Sequence, residues 1–296
     1  MEHFSAGDDL IRKLTSNYFD MVLKKILFAS LFFAGIVTLF AGCQDSISGF
    51  EEEPPQLPPT ESMDMSFSTF DTEEAQLTSS SDFEAENEHF SHFSNAAIRA
   101  FVMKTVVDLN LAIPKVLLTA ATQADPEFSE DNEWVWSYSS SHQNQNMEVR
   151  LAASEQSDGQ VVWDFYVTNS ALGLDNYLLF TGITSPENRI GTWTYYRLLG
   201  ENDGEPVSEL SWNITDENQA NLQLEVLSNR NGNLGDTINF EKDGHIKSAI
   251  YFNAEEDSTV EIEWNSDTNE GYLIAPDYNN GEKACWDSNF ENTECG

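Results

Sequence analysis

Side chains able to do chemistry are few and scattered in this sequence. Five histidines and three cysteines occur in 296 residues. His89 and His92, with Glu86 and Glu88 beside them, could bind a metal if that stretch is helical; its polarity reads more simply as an exposed lead-in to a helix. His142 stands apart, and His245 follows Asp243-Gly244 in a turn and needs no special role. Oxygen donors cluster at Asn229–Asp236 and at Ser266–Gly271. The first cluster contains Arg230, the second has the length of a hairpin turn, and neither fits the calcium-loop pattern D-x-[DN]-x-[DN]-G. G-x-S-x-G, H-E-x-x-H, a phosphate-binding glycine loop and C-x-x-C are absent. Carboxylate pairs carry little weight among so many acids. The sequence therefore predicts no catalytic residue, no metal and no cofactor. What remains is apolar. Trp134/Trp136/Tyr138, Trp163/Phe165/Val167 and Trp193/Tyr195 each recur at every second position, so each set shares one face of a strand. That is what a packed core needs. It is also what a groove for an apolar small molecule would show, and Trp134, Trp136, Trp163, Phe165 and Trp193 are its candidate lining.

Cys43 ends a different pattern. Lys24 and Lys25 precede an apolar run from Ile26 to Phe40, and the small residues Ala41 and Gly42 lead into the cysteine. This is a signal-peptide layout, too short and too abruptly ended for a membrane-spanning helix. Leu39-Phe40-Ala41-Gly42-Cys43 resembles the lipobox of bacterial lipoproteins. That family adds a diacylglyceryl group to the cysteine thiol and cleaves before it. Leu is the usual residue three positions before the cysteine; here it is Phe40. The resemblance implies a signal peptide over 21–42, lipidation of Cys43, and a cell-envelope address on the periplasmic or surface face of the outer membrane. Several acyl chains on one residue would hold far better than one. Residues 1–20 are acidic and mixed, whereas Met21-Val-Leu-Lys-Lys fits the start of a signal peptide, so 1–20 read as a mis-assigned upstream extension. Residues 43–62 include EEEPPQLPPTE, an extended acidic tether, because proline fixes φ and has no amide proton. In some Bacteroidetes-type lipoproteins acids just after the cysteine accompany surface export; Glu51–Glu53 lie a little further out. With Cys43 lipidated in an exported chain, Cys285 and Cys295 are expected to pair as a disulfide around Trp286.

These positions must be held by the 63–296 region. Met63-Asp-Met65-Ser-Phe67 alternates as a short strand, and an acidic Ser/Thr-rich loop follows to Glu88. Ser94 or Asn95 is a plausible N-cap for Ala97, Ile98, Phe101, Val102, Thr105, Val106 and Leu109 at helical spacing. Pro114 interrupts that pattern, which predicts two helices with a bend near 95–123. From Glu133 onward, segments with strand periodicity fall near 133–139, 146–153, 160–168, 176–182, 191–198, 208–214, 220–227, 236–242, 246–253, 258–264 and 271–276. The short turns between them, such as Ser157-Asp158-Gly159 and Asp243-Gly244, favour antiparallel hairpins. The expected fold is mainly β (α+β): an antiparallel meander of roughly eleven strands forming a curved sheet, half-barrel or barrel, with a helical hairpin packed on it. The arrangement resembles envelope lipoproteins with a lipocalin-like barrel or a LolA/LolB-like half-barrel, and its Cys-Trp-Asp…Cys tail is similar to that of uncharacterised Bacteroidetes-type lipoproteins.

Net charge is −37, from 51 acids and 14 bases. Residues 1–43 are balanced, so the rest of the chain carries all of it. Such a surface repels nucleic acid and anionic headgroups. It suits either a cationic ligand or simple solubility in a salty environment. Two functions follow as expectations. One is a non-enzymatic envelope lipoprotein that binds or carries an apolar ligand in its curved sheet. The other is a surface structural or interaction subunit that recognises an envelope protein or glycan.

Overall fold

Fourteen strands, each antiparallel to its neighbours in sequence, make one sheet. They are β1 (Pro126–Phe128), β2 (Trp134–His142), β3 (Gln145–Glu155), β4 (Val161–Asn169) and β5 (Leu174–Thr184). Next come β6 (Ile190–Tyr196), β7 (Pro206–Asp216), β8 (Gln219–Val226), β9 (Thr237–Asp243) and β10 (Ile246–Asn253). The last four are β11 (Ser258–Asn265), β12 (Gly271–Ile274), β13 (Ala284–Trp286) and β14 (Asn292–Thr293). The computed structural model describes residues 53–71, 88–142, 145–197, 204–229 and 233–296. Cys43, the apolar run before it, Glu86 and the turn residues Asn202, Asp203, Asn231 and Gly232 lie outside the described residues.

The expected eleven strands are β2 to β12. β1, β13 and β14 are additions of two or three residues each, too short to show a period. Alternation drives the sheet: along β4, Val161, Trp163, Phe165 and Val167 are buried, while Val162, Asp164, Tyr166 and Thr168 point the other way. Pairing ends at β1 and β14, so the sheet is open rather than a closed barrel. Glycines shape its inner side. Gly182 faces Trp193 across β5/β6, Gly191 faces Trp212 across β6/β7, and Gly271 faces Trp286 across β12/β13. A methyl group on Gly182 would come within 2.2 Å of the Trp193 ring, so each indole lies flat over a strand that has no side chain there.

One helix, α1 (Ser91–Ala121), replaces the expected hairpin. Proline at 114 removes one main-chain donor, yet the helix runs through it. The turn beyond is held from outside. Leu117 and Leu118 are buried, the Leu117 carbonyl accepts the Tyr138 hydroxyl at 2.6 Å, and Lys115 pairs with Asp64 at 2.6 Å. The start lies earlier than expected, at Ser91 after a 3-10 turn over Glu88–Phe90, and Ser94 is buried inside the helix. Helix α1 touches β2 near one edge of the sheet and β11 to β14 near the other, so the sheet curves around it.

The stretch 53–71 enters the same concave space. The Gln56 carbonyl accepts a hydrogen bond from Asn188, and Ser62 Oγ accepts from Trp193 Nε1 at 3.3 Å. Met63, Met65 and Phe67 alternate inward as expected, but they lie in and after a 3-10 turn over Thr60–Met63 rather than in a strand. Packing against the domain therefore begins within residues expected to be tether.

Candidate functional site

The five candidate lining residues are indeed gathered on the concave side. Trp136, Trp163, Phe165 and Trp193 are buried, and Trp134 is half-buried with its ring 5.2 Å from Phe128. Their contacts are with the chain itself. Phe165 stacks on Phe180 at 4.0 Å, and Trp193 meets Phe180 edge-on at 5.6 Å. Trp163 Nε1 donates to Thr184 Oγ1 at 3.0 Å. Phe67 reaches Phe240 and Trp264, Phe70 stacks on Phe93, and Phe93 meets Trp286 and Phe290. Helix α1 and the 57–71 segment thus occupy the space that an apolar cargo would need.

Buried tyrosines fit this dry interior. Burial raises the hydroxyl pKa of Tyr138 and Tyr195, because the phenolate would lose its water. Tyr251 is raised by burial and by its hydrogen bond to the Asp236 carboxylate.

Two surfaces face out instead. The first is the back of the sheet. Ile183, Thr192, Ser211 and Gln223 form one cross-strand rung over β5 to β8, and Ile190, Asn213 and Asn221 form the next. They line an open groove of about 570 Å³ whose twelve lining residues include no charged side chain. A second groove, of about 400 Å³, lies over β2 to β5 and includes Ser137, Arg150, Tyr166 and Thr168. There the Arg150 guanidinium covers the Tyr166 ring at 4.8 Å and pairs with Glu133 at 3.1 Å. Burial is the largest cause of the raised Tyr166 pKa, and the nearby Asp164 carboxylate adds to it. Around the first groove this same face is acidic, at Glu209 and Glu225 on β7 and β8 and at Glu241, Glu261 and Glu263 on β9 and β11. Glu261 accepts the Tyr272 hydroxyl at 2.6 Å, and Lys283 sits 3.5 Å over the Tyr272 ring. Charge-free hydrogen-bonding groups are therefore gathered in two rungs of β5 to β8, with the exposed pair Glu209 and Glu225 on the same face one rung further along.

The second surface is the back of α1. Its inward side is Phe93, Ala96, Ala97, Ala100, Met103, Val107, Leu111 and Leu118, all buried. Ile98, Phe101, Val102, Leu109, Ile113 and Val116 are 46–59% exposed and fall on the opposite side. The stripe that helical spacing selects, from Ile98 through Leu109, is thus mostly the one facing away from the sheet. The sheet already brings large aromatics to the interior, and α1 meets it with alanines at 96, 97 and 100 beside the larger Phe93, Met103 and Leu111.

Candidate ligating groups have structural partners. His92 Nδ1 lies 2.8 Å from the Tyr278 hydroxyl, its main-chain N–H donates to Asn292 at 2.9 Å, and burial lowers its pKa. His89 is exposed. Asp236 is buried and accepts from Tyr251 and from the Ala254 N–H, tying down a loop. Asn265 Oδ1 accepts from the N–H groups of Asp267 and Thr268, which closes the 266–270 turn. Among the described residues no three His, Cys, Asp or Glu side chains converge as a metal site. Cys285 and Cys295 are joined by a disulfide. No protein-family model, curated protein or solved structure matches the chain.

Proposed function

We propose that this protein is a non-enzymatic lipoprotein of the cell envelope, anchored through Cys43, whose β domain is an interaction subunit that recognises a neutral glycan on the back of β5 to β8. One observation carries the reading: a groove lined by Asn213, Asn221, Gln223, Ser211 and Thr192, without charge, in a chain of net charge −37. Amides and hydroxyls pair with sugar hydroxyls as donor and acceptor at once, and Ile183 and Ile190 offer apolar area to a sugar ring. A carrier of apolar cargo is less well supported, since cargo would have to displace both α1 and the Met63–Phe70 segment from the interior.

The test is calorimetry of the mature protein against maltohexaose, cellohexaose, laminarihexaose and a mannan oligosaccharide. Saturable binding to one of them, weakened at least tenfold by Asn221→Ala with Gln223→Ala, is expected. Absence of binding across the panel overturns the glycan reading. Incorporation of labelled palmitate, abolished by Cys43→Ser, tests the anchor separately.

A further inference from the structure

Helix α1 is apolar on both sides, and among the described residues only one side is packed. Ile98 to Val116 spans about 27 Å of helix at 1.5 Å per residue, and the six exposed side chains along it make a patch on the order of 500 Å². We infer that this face lies against a lipid bilayer, so that the domain is held on its membrane by α1 as well as by its anchor. The inference rests on the proposed lipidation of Cys43.

Reach supports it. Nine residues lie between Cys43 and Glu53, the first described residue, and the ten fully extended Cα-to-Cα steps cover about 35 Å. An anchored domain therefore stays beside the bilayer, and some part of its surface must face lipid. Charge then selects which part. After Cys43 the chain has 47 acids and ten bases; three of those bases (Arg99, Lys104 and Lys115) and only one acid (Asp108) lie on α1. The bases pair with Asp277, Asp71, Asp108 and Asp64, leaving the helix close to neutral. Headgroup phosphates repel the acidic faces and spare this one. Among the described residues no helix is long and apolar enough to cross a membrane, so α1 would lie on the surface. A second copy is a poorer occupant: the patch falls short of the ~800 Å² per side of a standard interface, and two strongly acidic domains would be pressed together. With α1 on lipid, the neutral groove on the other side of the sheet points away from the membrane.

The mature lipidated protein, in phosphatidylcholine vesicles, tests this with a fluorophore on Val102→Cys, on Ile113→Cys and, for comparison, on Gln223→Cys. Brominated phosphatidylcholine should quench positions 102 and 113 at least twofold and leave 223 unchanged. Equal, weak quenching at all three in protein that floats with the vesicles overturns the inference and leaves the anchor standing. Protein that does not float overturns both. Spin labels on Val102→Cys that couple to one another in sparsely loaded vesicles place a second copy on the face and also overturn it. In protein that begins at Gln44, with neither lipid nor the apolar run before Cys43, Leu109→Asp with Ile113→Asp should cut the remaining vesicle binding at least tenfold with the disulfide intact; unchanged binding counts against lipid contact.

Discussion

The two sides of α1 are alike in composition and opposite in circumstance. Both are apolar, yet Ala96, Ala100, Met103 and Leu111 are buried while Ile98, Phe101, Leu109 and Ile113 are about half in solvent. Hydrophobicity alone therefore does not say which side packs. Fit decides here: on the inward side alanines at 96, 97 and 100 let the axis approach a sheet crowded with indoles and phenyl rings, and Phe93 enters between Phe70, Trp286 and Phe290.

Substitution on the two sides should separate them. Phe93→Ala removes a ring wedged between Phe70, Trp286 and Phe290 and should cost about 3–5 kcal/mol in urea unfolding. A loss under 1 kcal/mol would mean that the inward side is not a core. Replacing both Cys285 and Cys295 with Ser should cost roughly 2–3 kcal/mol, because the ten-residue loop that brings Trp286 and Phe290 to Phe93 is no longer closed. Gly182→Ala extends the comparison to the sheet. Its added methyl meets the Trp193 ring, and a destabilisation of about 1–3 kcal/mol is expected.

A pH titration probes the same dry interior. Tyr138, Tyr195 and Tyr251 have raised pKa values, so the folded state favours their neutral forms. That stability is complete below the unfolded value near 10 and is lost as pH rises above it. The melting temperature should fall on passing about pH 10, and a melting temperature that stays flat there contradicts the burial. The smallest effect belongs to the exposed side: Leu109→Ser should move unfolding free energy by no more than about 0.5 kcal/mol. A loss comparable to that of Phe93→Ala would place Leu109 in a core and erase the contrast.

Much of this fold is legible in the sequence. Period-two alternation with Gly, Asn and Asp turns locates β2 to β12, since each strand buries one face and pairs with its sequence neighbour. β13 and β14 escape because a two- or three-residue strand has no period. Pro114 marks a break only for an isolated helix; Tyr138 and Asp64, remote in sequence, hold the following turn in place. Trp193 and Trp264 could each be read as core or as ligand lining because their partners, Ser62 for Trp193 and Phe67 for Trp264, lie more than a hundred residues away and in a different pattern. The neutral groove was invisible for a similar reason: Thr192, Ser211 and Gln223 become adjacent only through register.

An open sheet of fourteen strands ordinarily invites another chain to extend it. Here the exposed borders are β1, three residues that begin with a proline, and β14, two residues beside a disulfide. Few main-chain groups are offered by β1 and β14 themselves, whereas residues 137–142 of β2 run on past β1 with no strand among the described residues paired on that side. The place where a further strand could add is thereby narrowed from the length of two full edges to one short stretch of β2.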